Sequence, residues 1–397
     1  MSTSEQTLIK HNKQLLGPIT PLDCREFDTA GAHHRLGQDA RAQIHKILAR
    51  RLDDLGGQAQ VTKQIRRSRK LQKALNAKLH IPALDENIRA ALRQYQACLS
   101  AWAQGAGLAE FSHPMLANVV DEASVHADDL ATLLQMDDVG CQTGVLREQD
   151  GAVILWHAEE DYEDNPGQRF DQLRIFLFRA ANGQSAGGFI YPDLLPGPTF
   201  AWQGGDFVQA IDTLHIRPLE FDDAILPNTL AWLSLYLGSQ VTRQELAEQL
   251  GPFQGGYSLT AVYKRAGSVS VEKVEFANQQ VTASHLDPAA GQCLFQTNVI
   301  RDLSQPIGVE EQTSPESRAW NEQRMARTGR LLKVVRSSTQ PLAGVFRLLR
   351  SRLGGESAYA NRDVKAYLVC RMSVEKTSIW VGAGAAMPDD ELFSPEM

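Results

Sequence analysis

Cysteine is scarce in this sequence and shows no pattern. Five occur in 397 residues, at positions 24, 98, 141, 293 and 370, with no CxxC pair. That excludes a disulfide framework and a cysteine zinc cage, and it fits a reducing cytoplasm. Long apolar runs are missing too, so no membrane span is expected. The opening Met1-Ser2-Thr3-Ser4-Glu5-Gln6-Thr7 lacks the apolar core of a secretion signal. Basic charge is not in excess: 40 Lys and Arg stand against 47 Asp and Glu, a net −7, so no global field recruits nucleic acid. Internal repeats and low-complexity tracts are absent. What remains is an ordinary globular composition, 43% apolar and 22% charged, with ample material for a core.

The patterning changes near residue 140. Before it, apolar residues fall at helical spacing: Ile44, Ile47, Leu48, Leu52 and Leu55, then Ile65, Leu71, Leu75 and Leu79, then Ile88, Leu92, Tyr95 and Leu99. Leu116 to Val125 and Leu130 to Met136 suggest two more helices. After it, Thr143 to Arg147 and Ala152 to Trp156 flank an Asp150-Gly151 turn, a hairpin signal. Leu173 to Phe178 and Gly187 to Tyr191 read as strands. Helices follow around Thr229 to Leu237 and Glu245 to Leu250, the second opened by the capping-box pair Thr242 and Glu245. Leu259 to Lys264 and Ser270 to Phe276 are strands, Pro315 to Leu353 is helical with a break at Pro341, and Ala366 to Met372 with Thr377 to Val381 is a closing hairpin. Blocks of helices and strands in this order suit an α+β fold.

Lys63 to Lys73 holds six basic residues without interleaved aromatics, which reads as a solvated helix face before a nucleic-acid patch. His157, Glu159, Glu160 and Asp161 look like a metal cluster, but successive strand residues face opposite sides, so no metal is expected there. Gly204-Gly205 and Gly255-Gly256 match no phosphate loop and read as turns. A lone cysteine such as Cys141 is ordinarily a small buried hydrophobe.

Its context says more. Gly140-Cys141-Gln142-Thr143 stands where helical sequence hands over to the first hairpin, Glu160 follows at the end of the second strand, and Thr297-Asn298-Val299 closes a later strand-like segment. Over about residues 85–390 the chain resembles the N-terminal-nucleophile hydrolases, and among them the isopenicillin-N acyltransferase-like family of autoproteolytic cysteine hydrolases and acyltransferases. Glu122 to Met136, Pro196-Gly197 and Trp380-Val381-Gly382 add to the likeness. The departures are Ala158 for the family's Asn, Glu160 for its Asp and Val299 for its His.

The resemblance implies a four-layer αββα sandwich. Residues 1–80 would form an added helical segment, residues 81–140 the helical end of one fragment, and residues 141–397 the catalytic fragment. It implies self-cleavage between Gly140 and Cys141, with the fragments staying associated, and then acyl transfer through Cys141. The freed α-amine, with an ordinary pKa of about 7.7–8.0, is its own base. Glu160 would hold that amine and Asn298 would donate to the oxyanion. His157 would face the same cavity, and Phe200, Trp202 and Phe207 would line an acyl pocket. The expected substrate is a small acyl amide or thioester, acyl-CoA included as a co-substrate. No resident cofactor or nucleic-acid partner is expected. A homo-oligomer stays open, as does a silent member of the fold that serves as a binding or scaffold protein.

Overall fold

The computed structural model describes residues 8–11, 21–25, 29–54, 58–108, 139–162, 173–179, 185–214, 216, 222–286, 293–303, 315–337, 339–349 and 362–383. Two sheets carry the fold. The six-stranded one has the order β1 (Leu8–His11), β14 (Thr377–Ala383), β13 (Arg362–Met372), β4 (Val153–Tyr162), β3 (Val139–Arg147) and β12 (Cys293–Gln296). The eight-stranded one runs β11 (Gln280–His285), β10 (Ser268–Ala277), β9 (Gly256–Arg265), β8 (Phe207–Thr213), β7 (Phe200–Gln203), β6 (Ser185–Ile190), β5 (Arg174–Arg179) and β2 (Pro21–Arg25). All pairings are antiparallel except β1 with β14 and β2 with β5.

Among the described residues seven α-helices accompany them: α1 (Ala30–Asp54), α2 (Gln58–Lys78), α3 (Glu86–Gly105), α4 (Pro227–Leu237), α5 (Arg243–Leu250), α6 (Pro315–Ser337) and α7 (Pro341–Leu349). The α3 start is fixed by Asp85, whose carboxylate accepts the N–H groups of Asn87 and Ile88. At α5 the Thr242 hydroxyl accepts the Glu245 N–H at 3.1 Å, as the capping pair requires.

Strand alternation sorts the apolar residues into layers. Val145, Leu155, Val208, Ala210, Leu368 and Ile379 meet between the sheets. Ile211, Leu259 and Phe176 turn outward against Ile44, Leu92, Trp102 and Trp232 of the helices. Leu146, Ile154 and Trp156 turn the other way, against Leu331, Val335 and Phe346. Where a glycine faces an aromatic across a ladder, the ring lies over it. Trp156 covers Gly144, Trp202 covers Gly187 and Tyr367 covers Gly382, and a Cβ on any of these glycines would stand within 2.4 Å of the ring.

Residues 1–80, expected as an added helical segment, contribute two strands besides the helices α1 and α2. β1 extends one sheet and β2 the other. Leu36, Ile44, Leu71 and Leu75 belong to the same apolar cluster as Trp232. The basic residues of α2 are partly engaged: Arg67 donates to Gln254 at 2.9 Å, Lys70 pairs with Asp222 at 3.1 Å, and Lys78 donates to the Gly251 carbonyl at 2.6 Å. These contacts tie the helix to the body. The helices expected over 116–125 and 130–136 lie outside the described residues. The segment after Pro196 forms β7 and β8, with Phe200 and Trp202 facing between the sheets and Ala201 turned toward the helices.

Candidate active site

β3, β12 and β8 place the first groups. β3 alternation turns Cys141, Thr143 and Val145 toward the facing sheet. β12 pairs Gln296 with Thr143, so the chain just beyond it runs alongside Cys141. There the Asn298 amide holds Cys141 twice. Its Nδ2–H donates to Sγ at 3.1 Å, and its Oδ1 accepts the Cys141 N–H at 3.0 Å. Nδ2 also donates to the Thr213 carbonyl of β8 at 3.0 Å. The thiol itself lies 3.8 Å from the Ile211 carbonyl oxygen.

The turn that carries Asn298 is itself anchored. Glu275 of β10, fully buried, accepts the N–H groups of Arg301 at 3.0 Å, Asp302 at 2.7 Å and Leu303 at 3.1 Å. Gln296 Nε2 donates to the carbonyls of Thr297 and Val299, at 2.6 Å each. Such bonds hold a side chain in one orientation.

On the other face of the sheet, α6 brings Arg324. Its Nη1 donates to Glu160 Oε2 at 2.9 Å, and its Nη2 donates to the Cys141 carbonyl at 2.6 Å while lying 3.5 Å from Asn298 Oδ1. Arg324 and Glu160 are both fully buried.

Between the sheets a polar string continues from the thiol. Thr143 Oγ1 lies 2.9 Å from His157 Nδ1, His157 Nε2 lies 3.2 Å from Glu159 Oε1, and Tyr191 donates to Glu159 Oε2 at 3.1 Å. Burial alone would lower the His157 pKa. The Glu159 hydrogen bond and charge, with Asp212 and Glu160, outweigh it and leave the ring raised, favouring the imidazolium. An imidazolium donates from both nitrogens, which leaves the Thr143 O–H free to turn toward Asp212.

Asp212, at the end of β8, is fully buried, and among the described residues neither carboxylate oxygen accepts a hydrogen bond of good geometry. Burial raises its pKa from 3.8 to about 6, against the opposing pull of His157, Thr143, Cys141 and Arg324. The Cys141 thiol is pushed well above its usual range by burial and by the charges of Asp212 and Glu159, with Asn298 pulling the other way. The thiol is therefore protonated at rest.

The Asp212 shift has a stability consequence. From about pH 4 to 6 the folded chain holds a proton that the unfolded chain has lost, so the site weakens the fold as pH rises and the penalty is complete above pH 6. Asp212→Asn is expected to stabilise the protein by about 3 kcal/mol at pH 7, with the gain vanishing below about pH 4. Urea unfolding across that range checks it; a gain that does not change with pH would refute it.

The structure gathers Cys141, Asn298 and Glu160, but it gives Glu160 a different neighbour from the one expected. The Cys141 N–H goes to Asn298, and Arg324 links Glu160 to the Cys141 carbonyl. Gly140 opposes Glu160 inside an uninterrupted β3. His157 shares the inter-sheet face with Cys141, and Phe200 lies 6.3 Å from its ring. Trp202 packs between the sheets over Gly187. Phe207 turns to the opposite face, under the Arg243 guanidinium at 4.9 Å, so it lines no space with Cys141.

Among the described residues no three His, Cys, Asp or Glu are arranged to hold a metal ion, and no helix is long and apolar enough to cross a membrane. No family model matches the chain, and no curated protein matches its sequence.

Two members of the site carried no sequence signal that was read. Arg324 sits on the face Asn321, Arg324, Thr328, Leu331, Val335, all buried. Extending the apolar stripe of Leu331 and Val335 back to Thr328, and four residues further, finds it. Asp212 continues the inward face of Val208 and Ala210, and a carboxylate at that position is the signal.

Proposed function

We propose that the protein is a self-processing cysteine amidohydrolase or N-acyltransferase of the N-terminal-nucleophile kind, with a four-layer αββα body. The observation that carries this reading is the surroundings of Cys141. The other buried cysteines, Cys98 and Cys370, lie in apolar clusters, as structural thiols do. Cys141 instead has an anchored amide on its sulfur, a guanidinium on its carbonyl and a carboxylate facing it.

The chemistry follows from those groups. The Cys141 thiol attacks the Gly140 carbonyl, and the peptide bond between them gives way to a thioester that water hydrolyses. A new α-amine then sits on the same residue as the thiol and serves as its base. In turnover the sulfur takes an acyl group from an amide or thioester, and Asn298 Nδ2, already 3.1 Å from the sulfur, is placed to donate to the oxyanion that forms beside it. Residues 1–140 supply β1, β2 and α1 to α3, which join both sheets and the helical core, so this reading has the two pieces remain together. A reducing compartment such as the cytoplasm keeps the nucleophile competent.

Intact-mass measurement with N-terminal sequencing tests the reading. The expected result is two polypeptides, one beginning at Cys141, and a mass increase on that piece after exposure to a panel of acyl amides and acyl thioesters. A single species of 43.8 kDa that stays whole at neutral pH and takes up no acyl group would sink the enzyme reading and leave a silent binding protein of the same fold.

A further inference from the structure

We infer that Asp212 is the proton acceptor for the self-cleavage step, taking the Cys141 thiol proton before the α-amine exists to do so. The inference rests on the proposed self-processing and assigns it a further catalytic residue. In the uncut chain the Cys141 nitrogen is an amide, tied to Asn298 Oδ1, and is no base. Some other group must accept the thiol proton for the first attack. Glu160 is committed to Arg324 on the far face of the sheet. His157 carries its contacts to Thr143 and Glu159.

Asp212 fits the need by position. It stands between Ile211, whose carbonyl is 3.8 Å from Sγ, and Thr213, whose carbonyl holds Asn298 Nδ2 at 3.0 Å. Its carboxylate shares the inter-sheet face with the thiol, is sealed from solvent, and accepts no hydrogen bond of good geometry from the described residues. A solvated carboxylate is a poor base for a thiol; a desolvated one is stronger.

The step balances within the chain. The thiol proton passes to the Asp212 carboxylate, and the sulfur electron pair forms the bond to the Gly140 carbonyl carbon. As the Gly140–Cys141 C–N bond breaks, the departing nitrogen takes the proton that Asp212 received. Water then divides the thioester into the Gly140 carboxyl and the Cys141 thiol. Asp212 ends as it began, and the new amine is left beside the sulfur.

The groups facing Asp212 set its titration. They are Cys141 and Thr143 of β3 and His157 of β4 with Glu159 behind it, while Arg324 of α6 acts by charge from the far face of the sheet. On its own sheet Ser258 is its cross-strand partner, with Glu275 beyond. Thr143 favours the charged carboxylate, so removing its hydroxyl moves the midpoint of any Asp212-dependent process to higher pH.

The test follows full-length chains from cell-free synthesis by intact mass, from about pH 4.5 to 8. Wild-type cleavage is expected to rise with pH through a midpoint near 6 and then level off. Asp212→Asn is expected to cut roughly 100-fold more slowly or worse, with that rise gone. Thr143→Val is expected to keep the rise and shift its midpoint upward. If wild type cuts while Asp212→Asn keeps its rate and profile, the assignment to Asp212 is wrong and self-processing stands. The same holds if Thr143→Val leaves the midpoint in place. If wild type never cuts, both fall.

Discussion

Cys141→Ala should leave the chain at full length and abolish acyl release, by roughly four to six orders of magnitude against the processed wild type. The size of the effect follows from using one sulfur twice. In the proposed reaction the same atom opens the peptide bond on its own N-terminal side and later carries the acyl group, so no partial pathway would survive its loss. Folding should be nearly untouched. The sulfur is not part of an apolar cluster, and Asn298 keeps both its Thr213 contact and the backbone N–H of residue 141. Wild-type unfolding together with absent cutting is the diagnostic pair. Cys141→Ser separates the two uses further. A hydroxyl in the same place can be driven through one slow intramolecular attack, because the carbonyl is covalently adjacent. As a nucleophile in every turnover it performs poorly, so the serine chain should appear cut slowly and turn over weakly. Intact mass and an acyl-release assay on the three chains decide it. Residual turnover in the alanine chain would remove Cys141 as nucleophile.

The strands and helices were legible wherever one periodicity ruled. α3 is an example: Ile88, Leu92, Tyr95 and Leu99 fall on one buried face, and Asp85 caps it. The β3–β4 hairpin was legible from Asp150-Gly151, although both strands extend beyond the run that signals them, because Cys141, Glu159 and Glu160 interrupt the apolar alternation. Those interruptions fall at the candidate site. A buried polar residue breaks the pattern that would announce its strand, so sequence patterning fades where the chemistry lies. β1 and β2 were missed for another reason. They are short edge strands in parallel pairing with partners far along the chain, and no local signal marks a partner so distant. Cys141, Glu160 and Asn298 are proposed from a resemblance in short motifs, and the structure sets them near one another. Arg324 was not legible in the sequence, because it stands in a charged helix where one more arginine carries no information until its face is known.

Arg324 is also where stability and chemistry can be separated. Arg324→Met should cost about 3–5 kcal/mol in urea unfolding, because it removes the guanidinium that pairs with the Glu160 carboxylate in a site closed to water. The cost measures the buried charge more than the lost attraction. Adding Glu160→Gln to Arg324→Met removes that charge and should recover most of the stability. The double mutant is thus expected to be more stable than the single one, a large departure from additivity between two residues 2.9 Å apart. Cutting should behave otherwise. Arg324 Nη2 holds the Cys141 carbonyl at 2.6 Å, and neither Met nor Gln replaces that donor, so the stable double mutant should still process slowly. A double mutant that regains both stability and cutting would show Arg324 to be a structural ion only. One that stays as unstable as the single mutant would mean that the guanidinium is needed chiefly by the Cys141 carbonyl, and that Glu160 already takes up a proton when its partner is gone.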